Sequence, residues 1–191
     1  MGSIWLGMSQ QLLSEIMDFN ADHFALLGLP RTFRIDVNLL DERYRAVQAQ
    51  VHPDRFADAD ETQRRRSLQW ATKVNEAYVA LRKPLSRALY LLKLVGFGID
   101  LADNHAMPAE FLMEQMEWRE AVAEARAGKV LPALEDLDQR VRVDIRKGYE
   151  ELAVLLDDRR DYARSADRVR RLMFLEKRLA DIDEALLAVE D

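Results

Sequence analysis

Apolar residues recur along this chain at the spacing of helices that bury one face. From Asn38 to Val51, large apolar side chains stand four, three and four positions apart, which predicts one apolar stripe on a helix. Those positions are Leu40, Tyr44, Val47 and Val51. A second helix is predicted from Glu61 to Arg82, with Asn38 as the N-cap of the first and Pro84 bounding the second. Because a short polar loop joins them, the two helices should form an antiparallel hairpin.

Shorter helical segments flank the hairpin. Asp22 is expected to cap a short helix that Gly28 ends, and the apolar run 85–95 predicts another. Together these elements predict one compact domain over residues 21–95. Residues 1–20 form an N-terminal extension to which we assign no function.

Three longer helical patterns follow a glycine-containing stretch, residues 96–107, that we interpret as a linker. They cover residues 109–127, 132 to about 158, and 163–189. The last keeps the alternating three- and four-residue spacing of a coiled-coil-like seam. Its seam positions are Leu172, Leu175, Leu179, Ile182, Leu186 and Val189. A three-helix bundle over residues 108–191 is the natural packing, so the fold class is all-α.

Composition and charge narrow the possible functions. The 191 residues include no cysteine, which excludes disulfides and cysteine-held metal clusters on this chain and suggests a reducing compartment. No apolar stretch approaches the roughly 20 residues of a membrane span, so we expect a cytoplasmic protein without membrane contact. Residues 21–95 hold 13 Lys and Arg against 9 Asp and Glu, and residues 96–191 hold 15 against 23. The basic excess is too small to indicate nucleic-acid binding, while the acidic half favours a basic partner.

The loop of the hairpin contains the tripeptide His52-Pro53-Asp54. Pro53 disfavours α geometry at His52, so the preceding helix should end there. A rigid proline between an imidazole and a carboxylate presents one hydrogen-bonding ring and one anion in a fixed relation. That combination suits docking on a cationic surface, although a plain helix-terminating turn is the alternative interpretation.

The sequence around this tripeptide resembles that of known proteins. Tyr44–Arg45 precede it and Asn75–Tyr78 follow it, and in that context the chain resembles a J domain. It is also similar to the HscB family of iron–sulfur co-chaperones in His23–Pro30 and Phe111–Gln115. The resemblance runs from about Ala21 to the C-terminus.

The resemblance implies an N-terminal J domain that stimulates ATP hydrolysis by an ATPase chaperone of the HscA or DnaK class. It also implies a C-terminal domain that binds the IscU-type scaffold carrying a nascent iron–sulfur cluster. The residues expected to contact the ATPase chaperone are His52, Pro53, Asp54, Arg43, Arg45 and Arg55. Eukaryotic members add an N-terminal zinc module with paired cysteines, so its absence here indicates the bacterial type.

An enzymatic role is the main alternative for His52. It could act as a general base oriented by Asp54, or bind a metal together with His23 and His105. No nucleophile motif, Gly-rich phosphate loop or His-x₃-His spacing accompanies it. We therefore predict no catalysis, no metal and no cofactor, and interpret His23 as a helix-surface residue and His105 as a loop residue.

A set of apolar residues misses the core stripes of the predicted bundle. On the helix after Pro108, Leu112, Met113 and Met116 lie away from the stripe that holds Trp118, among carboxylates. These carboxylates belong to Glu117, Glu120 and Glu124. Phe174 likewise lies off the seam of the last helix, and in HscB proteins the matching positions form the scaffold-binding face. We predict one exposed client-binding patch with an acidic rim, against the alternative that these residues are ordinary core.

Three hypotheses follow, in order of preference. The first is a co-chaperone that delivers an iron–sulfur scaffold to its ATPase chaperone. The second is a J-domain adaptor for a different client, and the third is a structural helical scaffold with no chaperone role. Stimulation of a partner ATPase separates the first two from the third, and scaffold binding separates the first from the second.

Overall fold

The computed structural model describes residues 19–99, 109–128 and 130–190. The chain divides into two units, Met1–Leu94 and Val95–Asp191. Every regular element in the described residues is helical, which confirms the all-α prediction. None of the described helices combines the length and the apolar character that crossing a membrane requires.

The first unit is built around its longest helix. It contains α1 (His23–Leu26), α2 (Val37–Val51), α3 (Glu61–Arg82) and α4 (Pro84–Leu94), with a 3-10 turn at Pro53–Phe56. Helices α1, α2 and α4 each pack against α3, and α2 and α3 form the predicted hairpin. Burial of their apolar side chains is the main stabilising contribution. Fully buried members of this core include Phe24, Leu26, Leu40, Val74 and Leu81.

Local hydrogen bonds explain where the first helices begin. The Asp22 side chain accepts hydrogen bonds from the backbone N–H groups of Phe24 and Ala25, so it caps α1 as predicted. The N-cap of α2 is Asp36, so the prediction of Asn38 was wrong. An Asp36 carboxylate oxygen accepts the backbone N–H of Asn38 at 2.9 Å and that of Leu39 at 3.4 Å. Both residues are good caps by type, and the extended backbone at Asp36 starts the helix two residues earlier.

The second unit is the predicted three-helix bundle. It consists of α5 (Ala109–Ala127), α6 (Leu131–Ala153) and α7 (Tyr162–Glu190). Gly148 allows α6 and α7 to approach closely, because a Cβ there would lie 2.8 Å from a methyl carbon of Leu172. Two buried clusters line the axis of the bundle. Their members are Ala125, Leu134, Leu137, Val141, Ile182 and Ala185.

The end of α6 differs from the prediction of one continuous helix to about residue 158. A π-helical turn, Val154–Arg159, follows the α-helix, and Arg160 adopts left-handed backbone geometry with φ at 53°. The predicted linker, residues 96–107, lies largely outside the described residues.

Candidate functional site

The His52-Pro53-Asp54 loop joins two helical elements through one residue. His52 is at once the C-cap of α2 and the N-cap of the 3-10 turn, with an extended backbone at φ −61° and ψ 130°. Pro53 begins the turn, where its missing N–H costs no hydrogen bond. The helix therefore ends at His52 as predicted.

The imidazole of His52 is held against the backbone of its own loop. Its Nδ1 accepts the backbone N–H of Asp54 at 3.3 Å and lies 3.5 Å from a carboxylate oxygen of Asp54. A neutral ring whose Nδ1 accepts a hydrogen bond carries its proton on Nε2. The loop can thus offer one N–H donor and one carboxylate acceptor to a partner.

The His52 and Asp54 side chains are exposed, whereas Ser67, which ties the end of α2 to α3, is buried. The side chains of His52 and Asp54 are 50% and 89% exposed. The buried hydroxyl of Ser67 on α3 donates to the Val51 carbonyl at 2.8 Å, and Arg55 donates to the Ala49 carbonyl at 3.2 Å. The predicted site did not include Ser67. The sequence did contain a signal for Ser67, because it is a polar residue at a core position of α3, three residues before Trp70.

The two arginines predicted on α2 do not share a face. Arg43 is half-buried and stands between Leu40 and Val47 on the core side, with its Nε atom buried and without a hydrogen-bond partner among the described residues. Arg45 is exposed. Arg55 is exposed and donates through Nη1 to the Ala49 carbonyl near the end of α2.

The aromatic residues on which the J-domain resemblance partly rests brace the hairpin. The Tyr44 and Tyr78 rings stack with centroids 4.1 Å apart. The Tyr44 hydroxyl donates to an Asn75 side-chain oxygen at 2.8 Å, and the Tyr78 hydroxyl donates to an Asp41 carboxylate oxygen at 3.0 Å. These contacts join α2 to α3 and so set the direction in which the loop projects.

His23 is not the simple surface residue that we predicted. Its ring is half-buried and stacks on Tyr90 with centroids 4.2 Å apart. Burial lowers the pKa of His23, with Lys73 and Lys93 adding to the effect and Glu76 and Asp22 opposing it. The stacking depends on a residue 67 positions away, which the local sequence could not indicate. His105 lies outside the described residues. Within the described residues, no group of three or more His, Cys, Asp or Glu side chains is placed to hold a metal ion.

A groove of about 920 Å³ runs between α5 and α7 in the second unit. Met116 and Phe174, from the two helices, both line it, so the structure brings these two predicted patch residues together. Trp118 also lines the groove. The Arg178 guanidinium carbon lies 4.2 Å from the centroid of the Trp118 ring, and that of Arg140 lies 5.2 Å from it.

None of the three carboxylates of the predicted acidic rim lines this groove. At about 100° per residue, Met113, Glu117, Glu120 and Glu124 fall within roughly 60° of arc on α5, which we call the acidic strip. All four side chains are exposed and none lines the groove. Met113 and Met116 are 62% and 64% exposed. The side chain of Leu112 lies outside the described part of the structure.

Comparisons with known proteins agree over most of the chain. Residues 107–183 match a family model described as the HSCB C-terminal oligomerisation domain. The chain is 52% identical over 175 residues to the co-chaperone protein HscB homolog of Azoarcus sp. (strain BH72), covering 92% of this chain and 99% of that protein. The chaperone HscB from Vibrio cholerae superposes with a TM-score of 0.77 at 35% identity, over 86% of this chain and 96% of its own. Human co-chaperone protein HscB gives 0.81 at 31% identity, over 87% and 82%.

Proposed function

This chain belongs to the HscB family of iron–sulfur co-chaperones, and from that premise we propose that it stimulates the ATPase of an HscA- or DnaK-class chaperone and delivers an IscU-type scaffold to it. The first unit acts as the J domain and the second as the client-binding domain. The proposed place of action is the bacterial cytoplasm.

The observation that carries the first half of this proposal is the exposed, braced loop. His52 and Asp54 project into solvent, while the Ser67 hydroxyl ties the end of α2 to α3 and the Arg55 side chain ties the loop to α2. A preorganised donor and acceptor lose little conformational entropy on binding, which favours docking. Asp54 supplies the anion for a cationic surface of the ATPase chaperone, and Arg45 and Arg55 supply cations nearby in sequence.

The second half rests on the apolar surface of the bundle. Two methionines that are more than half exposed stand on α5, one within the acidic strip and one at the groove. Flexible, polarisable methionines suit a surface that adapts to a partner protein. The proposed client site consists of Leu112, Met113, Met116, Glu117, Glu120, Glu124 and Phe174.

The chain is proposed to have no catalytic activity of its own. General-base catalysis needs a concave site that holds substrate and excludes water. The Asp54 side chain is 89% exposed on a turn, where a His–Asp pair has little means of positioning a substrate. Neither a metal nor a cofactor has a role in the proposed function.

The experiment that tests the J-domain role replaces Asp54 with Ala in the full chain. Stimulation of the purified ATPase chaperone, measured as steady-state phosphate release, should be abolished, and the circular dichroism spectrum should be unchanged. Asp58→Ala is the matched control, because Asp58 is also an exposed aspartate of the same loop. Full stimulation by the Asp54 variant would overturn the J-domain role assigned to this loop, and an absence of stimulation by the wild-type chain would leave only the structural-scaffold hypothesis. Stimulation without any scaffold binding would favour an adaptor for a different client.

A further inference from the structure

The charges along the groove between α5 and α7 are unevenly distributed. The two helices run in the same direction, because Trp118 packs near Leu179 and Ala125 packs near Ala185. At the end formed by Met116 and Phe174, the charged lining residues are all cations. These are Arg119, Lys177 and Arg178. Toward the other end, Arg126 is accompanied by Asp181 and Glu184.

The cations at the first end sit in a setting that strengthens their attraction for an anion. Arg178 is only 6% exposed and stacks on Trp118, so its charge is partly removed from water. Arg119 and Lys177 are exposed, and neither forms an ion pair with a described side chain. A carboxylate bound at this end could pair with both cationic side chains beside the apolar surface of Met116 and Phe174, where the effective dielectric constant is lower than in water.

We propose that this end of the groove receives an acidic segment of the client, which places carboxylates of the scaffold against Arg119 and Lys177. The inference rests on the proposed client function and narrows it. Met116 belongs both to the proposed client patch and to the groove, so a client seated on the patch also covers this end. The client surface is therefore divided in charge, with basic side chains facing the acidic strip and acidic side chains facing the groove.

The size of the groove limits what can bind there. Met116 to Ala127 spans about 16 Å at 1.5 Å per helical residue. That length fits about three turns of a helix or a short extended segment. The occupant should present one apolar side chain at Met116 and Phe174 with a carboxylate next to it.

The test compares two double charge reversals in the full chain. Arg119→Glu with Lys177→Glu reverses the groove, and Arg146→Glu with Lys147→Glu changes the net charge equally at exposed positions of α6 that do not line it. Binding of purified IscU-type scaffold is measured by calorimetry at low and physiological ionic strength. At low salt, the groove variant should have a Kd about tenfold or more above that of the wild-type chain. Added salt should reduce this difference in Kd, because it screens the charges. The control should stay within about twofold of the wild-type Kd.

Each other outcome overturns a different claim. Equal Kd values for the groove variant and the control would overturn the acidic-segment proposal while leaving the client function in place. Absence of scaffold binding by the wild-type chain would overturn both. If sedimentation showed that the groove variant loses self-association while scaffold affinity is unchanged, the occupant would be a second copy of this chain and the proposal would be wrong.

Discussion

The loop of the first unit and the groove of the second present functional side chains in opposite ways. In the loop, the His52 and Asp54 side chains are exposed, and the backbone just before them is held by the hydrogen bond from the Ser67 hydroxyl to the Val51 carbonyl. In the groove, Trp118 and Phe174 contribute to the proposed binding surface and are also partly buried against their neighbours. Substitutions of the exposed loop side chains should therefore change binding without changing the free energy of unfolding. Substitutions in the groove should change both.

The largest expected effect is on the client patch. Changing Leu112, Met116 and Phe174 together to Ala should weaken scaffold binding by about 3 kcal/mol or more, over a hundredfold in Kd, because a few apolar anchors carry most interface energy. Calorimetry of binding checks this. Leu187→Ala is the control, since Leu187 is 65% exposed on α7 and does not line the groove.

The same triple variant also tests whether the patch is surface or core. Met116 is mostly exposed and Phe174 is partly buried, so the free energy of unfolding should fall by no more than about 2 kcal/mol. A loss of about 4 kcal/mol or more, typical of several buried large-to-small changes, would mean that these residues are ordinary core.

Trp118→Ala should lower stability and scaffold affinity together. It removes the ring on which Arg178 and Arg140 lie and the packing against the buried cluster of α6 and α7. We expect the free energy of unfolding to fall by about 2 to 3 kcal/mol, with a parallel loss of scaffold affinity. Unchanged stability in denaturant titration would contradict the overlap between binding and stability in the groove.

Ser67→Ala tests the loop of the first unit. It removes the hydrogen bond that holds the Val51 carbonyl beneath the loop, which should lower the free energy of unfolding by about 1 kcal/mol. ATPase stimulation should fall only partly, because the side chains of the tripeptide remain. A loss of stimulation as complete as that of Asp54→Ala would mean that the orientation of the loop matters more than its charges.

The smallest effect concerns pH and His23. Burial lowers the pKa of His23 in the folded state, so the unfolded chain binds a proton first as pH falls below about 6.5. The contribution of His23 to stability is therefore full above that pH and decreases below it until the folded pKa is reached. His23→Gln should flatten the fall in urea midpoint between pH 7.5 and 5.5; an identical slope in both proteins would refute this assignment.

Much of this architecture could be predicted from the sequence, because the apolar periodicity and the end signals of a helix lie within its own segment of the chain. The bounds of α3 followed from the apolar periodicity and from Pro84. Asp36 could not be chosen over Asn38 with the same means, since both residue types cap helices equally well. The π-helical turn after Ala153 also left no local signal.

The charge of the groove could not be predicted from either helix alone. On α5 alone, Met116 stands near Glu117 and Glu120, which suggested one acidic rim around the whole patch. Lys177 and Arg178 come from a helix about 60 positions later, and only tertiary packing sets them beside Met116 and Arg119. A helical projection of one segment cannot reveal side chains contributed by another.

The central claim is that one chain links a client to an ATPase through two separate sites. Phosphate release by the ATPase chaperone, titrated with this chain in the presence and absence of the IscU-type scaffold, tests it most directly. The scaffold should lower the concentration of wild-type chain needed for half-maximal stimulation. With the Leu112, Met116 and Phe174 triple variant, stimulation should persist and the scaffold should no longer shift that concentration. An equal shift with the triple variant would contradict the account.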